Sequence, residues 1–143
     1  MQNSLFKQYQ GSFDLESEDE PKKEKEKIFK NRANTFALAD ALGAKSPKDT
    51  WVNFIKLREE GIEAESLHAA LVGKIRDMLS TQHATAEDLE IHPFVYKKAK
   101  ADFKNWNKEK LEEVYEKLVL AYHESRLGGE VLDVAVEKII LAL

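Results

Sequence analysis

Residues 107–143 read NKEKLEEVYEKLVLAYHESRLGGEVLDVAVEKIILAL, and their punctuation decides the fold. Asn107 stands where a helix N-cap belongs, because its side-chain oxygen can accept from the free N–H groups of the first turn. Leu111, Val114, Tyr115, Leu118, Ala121, Tyr122 and Ser125 then recur at helical spacing until Gly128-Gly129 supplies a stop. Leu132, Ala135, Val136, Ile139 and Leu143 resume the same period. Two helices joined by a short turn are therefore expected.

Upstream, the same grammar repeats. His92-Pro93 opens a helix whose Val95, Tyr96, Ala99, Phe103 and Trp106 face inward while Lys97, Lys100 and Lys104 face water. The polar run Thr81–Glu90 reads as a loop. Before it, a helix from about Glu63 to Ser80 carries Leu67, Ala70, Leu71, Ile75, Met78 and Leu79 as its apolar stripe. Ser46-Pro47-Lys48-Asp49 gives a cap, a first-turn proline and an acid, followed by Trp51, Phe54, Ile55 and Arg58 and then Gly61. Asn34 is expected to cap a short helix Thr35–Leu42 with Phe36, Ala39 and Leu42 on one side, ended by Gly43. No segment alternates with period two, and no fixed internal repeat is visible. The fold expected is all-α, a single bundle of about six helices over residues 31–143.

Residues 1–30 differ in kind. Asp14, Glu16, Glu18, Asp19 and Glu20 precede Lys22, Lys23, Lys25, Lys27 and Lys30, an acidic block followed by a basic one, and the apolar residues are too few for a core. That is the composition of a flexible charged tail. Glu24 and Glu26 within the lysine block leave a second reading open, in which the first helix extends backward as a solvated turn.

Composition narrows the function. The 143 residues include no Cys, which removes disulfides, thiol nucleophiles and thiolate metal sites. With 22 Lys+Arg against 26 Asp+Glu, the net charge gives no global attraction to nucleic acid. No apolar run approaches the length of a membrane span and no signal peptide follows Met1, so a soluble cytoplasmic protein with no membrane partner is expected. His68, His83, His92 and His123 are scattered, and no H-E-x-x-H, Walker loop or G-x-S-x-G occurs. His92 suits a helix cap. Gly128-Gly129 follows a helix and not a strand, so it is a stop and not a phosphate cradle. Glu59-Glu60 and Glu112-Glu113 are sequence neighbours that diverge on a helix. Neither catalysis nor a cofactor is expected. The basic stretch Lys97, Lys98, Lys100, Lys104, Lys108 and Lys110, with Phe103 and Trp106 interleaved, is the best case for nucleic acid, since such side chains can grip phosphates and stack bases. Both aromatics also fall on the apolar stripe, where burial is the simpler use.

Two stretches depart from a generic bundle. His92-Pro93-Phe94-Val95-Tyr96-Lys97-Lys98-Ala99, the long helix ending Glu124-Ser125-Arg126-Leu127-Gly128-Gly129, and Val136-Glu137-Lys138-Ile139-Ile140 together resemble the C-terminal domain of the bacterial DNA polymerase III delta subunit, which is part of the clamp loader. Phe36-Ala37-Leu38-Ala39-Asp40-Ala41-Leu42-Gly43 looks like the segment that begins this domain, and Leu67–Leu79 looks like its third helix. The resemblance covers about Asn34 to Leu143. It implies a collar-like bundle that docks on other clamp-loader subunits, without phosphoryl transfer and with DNA contacted weakly or indirectly. Delta proteins also carry an AAA+-type module before this domain, for which the chain has no room, so it is either a fragment or a reduced relative. The second stretch is Gln2-Asn3-Ser4-Leu5-Phe6, whose Q-x-x-L-F spacing looks like the peptide with which replication proteins bind the β sliding clamp. A Leu-Phe pair can enter an apolar pocket while the Gln amide pairs at its rim. The alternative is an ordinary start segment in which Leu5 and Phe6 fold back on the bundle.

Overall fold

A computed structural model describes residues 20–143, and those residues form six α-helices with no strand among them. The helices are α1 (Glu20–Gly43), α2 (Pro47–Glu59), α3 (Ala64–Ser80), α4 (Pro93–Phe103), α5 (Lys108–Arg126) and α6 (Leu132–Leu141). The chain divides into two units, residues 1–33 and 34–143. In the first, Lys22, Lys23, Glu24, Lys25, Glu26 and Lys27 are all exposed on a helix, as the backward extension requires.

The second unit holds the core. Its α1 portion departs from expectation, because Asn34 is an interior helix residue and caps nothing. After Pro21, which sits in the first turn, no Gly or Pro interrupts residues 22–42, so nothing forces a start at Asn34. The Asn34 amide instead donates to Glu60 Oε2 at 3.4 Å. Phe36 is exposed rather than inward. Leu38, Ala41 and Leu42 form the buried i, i+3, i+4 stripe, and two residues of helix turn Phe36 about 200° away from Leu38.

Other helix starts follow the sequence closely. Ser46 accepts from Asp49 N–H at 3.2 Å with Pro47 behind it. His92 Nδ1 accepts from Phe94 N–H at 3.1 Å, and Asn107 Oδ1 accepts from Glu109 N–H at 2.9 Å. At the end of α5, Gly128 adopts φ +83° and Gly129 N–H donates to Glu124 O at 2.8 Å, the 6→1 bond of a Schellman stop. That stop folds α6 back against α5.

The core lies around α3, which packs against α4, α5 and α6, while α2 packs on α6. Leu67, Leu71, Ile75 and Met78 of α3 meet Leu111, Val114 and Leu118 of α5 and Leu132, Val136 and Ile140 of α6 in one cluster. A fully buried side chain of this size contributes about 1.5–3 kcal/mol. On α2 the buried stripe is Thr50, Phe54 and Leu57, with Trp51 and Ile55 at its edge. Trp51 Nε1 donates to Glu137 Oε1 at 3.0 Å and Arg58 pairs with Asp133 at 3.2 Å, so polar contacts flank the α2–α6 seam.

Candidate functional site

Gln2, Leu5 and Phe6 lie outside the described residues. The basic stretch is described in full, and α4 together with the start of α5 scatters its charges. Lys97, Lys100 and Lys104 are exposed, and their i, i+3, i+7 spacing puts them on one side of α4. Lys100 Nζ stands 6.0 Å from the Tyr96 ring centre. Lys108 is drawn to Glu112 at 3.9 Å and Lys110 to Glu113 at 3.5 Å, while Lys98 approaches Asp40 at 3.9 Å. Glu113 also takes Lys117 at 2.8 Å. The hydrogen bond from Lys117, reinforced by the charges of Lys110 and Lys117, holds the Glu113 carboxyl below its ordinary range.

The interleaved aromatics do not join this face. Trp106 is only 6% exposed, and its indole N–H donates to Leu42 O at 3.0 Å. Phe103 packs against the core. Neither offers the open ring face that base stacking needs.

Beneath this surface lies a cluster that sequence spacing does not single out. Lys74 of α3 and Asp102 of α4 form a pair at 2.7 Å with side chains 10% and 13% exposed. Gly43, the last residue of α1, lies against both, for a Cβ there would stand 2.4 Å from Asp102 Oδ2. Asn105 Nδ2 donates to Gly43 O at 3.2 Å, and Trp106 serves Leu42 O. Carbonyls at a helix end lack intrahelical partners, so the turn after α4 satisfies the end of α1. Asp102 falls in register with the buried Ala99 and Trp106, but nothing in that spacing pairs it with Lys74.

The clearest surface feature is apolar. Leu127 is 86% exposed, Val131 66%, Leu141 61% and Leu120 58%, with Val134 also exposed. Leu120 lies on α5 and Leu127 is the residue just past its end, while Val134 and Leu141 are seven apart on one side of α6. Sequence periodicity marks the inward stripe of each helix. The outward leucines are legible as residues off that stripe, with Leu120 between the buried Leu118 and Ala121.

Among the described residues, no group of three His, Asp or Glu side chains is placed to hold a metal ion. His68 is buried with Nε2 2.7 Å from Leu118 O; because a carbonyl only accepts, that nitrogen carries the proton. The ring stacks on Tyr122 at 5.4 Å. His83 and His123 are exposed.

Comparison with known proteins agrees with this arrangement. No curated protein sequence matches the chain. The solved structure of the DNA clamp loader delta protein of Bacillus subtilis is similar, with a TM-score of 0.67 and 22% identity over 76% of this chain. The match spans 35% of that protein, so this chain corresponds to about a third of its length. A family described as the DNA polymerase III delta subunit, C-terminal domain, matches residues 32–143. The chain therefore belongs to the family formed by the C-terminal domain of the DNA polymerase III delta subunit.

Proposed function

We propose that this chain is a non-catalytic component of DNA replication, a clamp-loader delta-type module that works in the cytoplasm by docking on other clamp-loader subunits. The observation that carries the reading is the set of exposed apolar side chains on α5, α6 and the turn that joins them, Leu120, Leu127, Val131, Val134 and Leu141, in a chain of the delta family. Side chains of this kind gain by being covered, and in this reading a partner subunit covers them. Residues 31–143 supply the collar-like domain, and residues 1–30 carry a sliding-clamp peptide in which Gln2, Leu5 and Phe6 make the contact.

The docking test uses purified clamp-loader subunits and the variants Leu120→Glu and Leu127→Glu. Wild type should be retained by those subunits and both variants lost, with unchanged melting temperature because the replaced residues are exposed. Failure of wild type to bind any of the subunits rejects the assembly role. For the clamp peptide, a Leu5→Ala, Phe6→Ala variant should lose affinity for the purified β clamp. Equal affinity removes that part of the reading.

A second reading rests on Lys97, Lys100 and Lys104, which share one side of α4 and make no ion pair within 4 Å among the described residues. In that reading the α4 face, with Lys108 at its edge, holds nucleic acid through phosphate contacts. Binding should then weaken steeply with salt and fall when the three lysines are reversed to Glu. Salt-independent or absent binding eliminates it.

A further inference from the structure

The outward side of α3 is separate from the α5–α6 strip and from the Lys74–Asp102 cluster. A groove of about 460 Å³ opens along it, with Glu65, Ala69, Val72, Gly73 and Arg76 of α3 on its floor, and the buried His68 of the same helix and Tyr122 of α5 as a wall. At 3.6 residues per turn these five α3 positions fall within about 100° of the helix circumference. The pattern has one acid at one end and one base at the other, with Ala69, Val72 and Gly73 between them and the buried ring of His68 at the edge. A Cβ added at Gly73 would meet nothing within 4 Å except Arg76 Nη2 at 3.9 Å, so the space above the helix backbone there is open. Neither Glu65 nor Arg76 makes an ion pair within 4 Å among the described residues.

Read backward, the pattern complements itself. When a second α3 is laid antiparallel across the groove about a two-fold axis, any residue meets the one whose number brings the sum to 141. Glu65 then faces Arg76 of the other copy, Arg76 faces its Glu65, Ala69 faces its Val72, and Gly73 faces its His68. The rise of about 1.5 Å per residue puts the two charged ends about 16 Å apart, with the small residues at the centre, where the axes can close to about 8 Å. A two-fold contact forms each favourable pair twice. The groove wall is held in place before any partner arrives: Tyr122 stacks on His68 at 5.4 Å and carries the Arg126 guanidinium 5.2 Å from its ring centre. Prior ordering of the wall lowers the cost of association.

We propose that this groove is a contact between two copies of the chain, α3 against α3 in antiparallel register, with Glu65–Arg76 pairs at both ends. Sedimentation equilibrium of the full chain, at rising concentration and low salt, tests it. The expected result is a monomer–dimer equilibrium that weakens with salt. Arg76→Glu or Glu65→Arg alone places like charges opposite each other twice and should weaken dimerisation by about tenfold or more. The double variant Glu65→Arg, Arg76→Glu restores both pairs in reversed sense and should recover wild-type association. Gly73→Leu, which fills the open space, should abolish it. All four variants alter the outer side of α3, so melting curves close to wild type establish that each is folded. A chain that stays monomeric throughout overturns the proposal, and so does a double variant no better than the weaker single one. Association only with a different protein of the clamp loader through this face also overturns it.

Discussion

Gly43→Ala should destabilise the protein, against the usual preference of helices for alanine. In a helix the exchange normally gains up to about 1 kcal/mol, because Gly sacrifices more backbone freedom on folding. Here the new methyl would stand 2.4 Å from Asp102 Oδ2, 2.7 Å from its Cγ and 2.9 Å from Lys74 Cε. Carbon and oxygen need a little over 3 Å, so the carboxylate must retreat by about 1 Å. Lys74 Cε must shift as well, so the methyl displaces both partners of the buried 2.7 Å pair. Overpacking of this kind costs about 1–3 kcal/mol, and the helix preference for Ala offsets at most about 1. The net loss is about 1–2 kcal/mol, equivalent to a fall in Tm of about 5 °C for a chain of this size. The decisive comparison repeats the exchange in an Asp102→Ala background, where the obstructing carboxylate is gone and the unpaired Lys74 is common to both proteins. There Gly43→Ala should be neutral or mildly stabilising. Chemical denaturation of the four proteins completes the cycle. A neutral effect in the wild-type background, or an equal loss in both, would refute the argument that close packing excludes a side chain at position 43.

Gly128→Ala tests conformation rather than space, since a Cβ there meets nothing within 4 Å while φ is +83°; it should cost about 1–2 kcal/mol in denaturation. Ser46→Ala removes the acceptor for Asp49 N–H and should cost about 1 kcal/mol by the same measurement. The pH dependence carries two opposite signs. Thr85 donates to Asp88 through its backbone N–H, and their hydrogen bonding lowers the Asp88 pKa, so its contribution is complete above the ordinary carboxylate value and is lost as pH falls through the lowered one. Asp88→Asn should therefore flatten the acid side of the stability profile. Burial raises the Asp77 pKa despite nearby Arg76 and Lys74, so the folded state holds this proton more tightly and loses stability as pH rises through the carboxylate range. Asp77→Asn should accordingly help more at neutral pH than in acid, and the reverse order in urea titrations would contradict that sign.

The helical punctuation is readable because caps and stops are local. Ser46, His92, Asn107 and Gly128 act on backbone groups within a few residues, so their chemistry is visible without knowing the partner helices. The first helix misleads at Asn34 for the same reason: a good capping residue stands there, but nothing upstream compels the chain to leave the helix. On α2 the apolar pattern sets Trp51, Phe54, Ile55 and Arg58 on one face; packing buries Phe54 as expected but centres the stripe on Thr50 and Leu57, with Trp51 and Ile55 at its edge. Thr50 fits inside because its hydroxyl donates to Ser46 O at 2.6 Å, a bond that pattern alone does not announce. The contact of Lys74 with Asp102 spans 28 residues and depends on how three helices meet, so no spacing rule reveals it. The lysines of α4 are expected to face water and do, while Trp106 turns to the core because its N–H finds a carbonyl at the end of α1.

That indole bond also makes the protein self-reporting. The chain has two tryptophans, and they watch different seams: Trp106 the meeting of α1 with the turn after α4, Trp51 the seam between α2 and α6. One is sealed from solvent and the other partly wetted, so their emission should separate in colour and in sensitivity to a soluble quencher. With Trp51→Phe and Trp106→Phe variants, fluorescence alone can tell whether the two seams come apart together or one at a time.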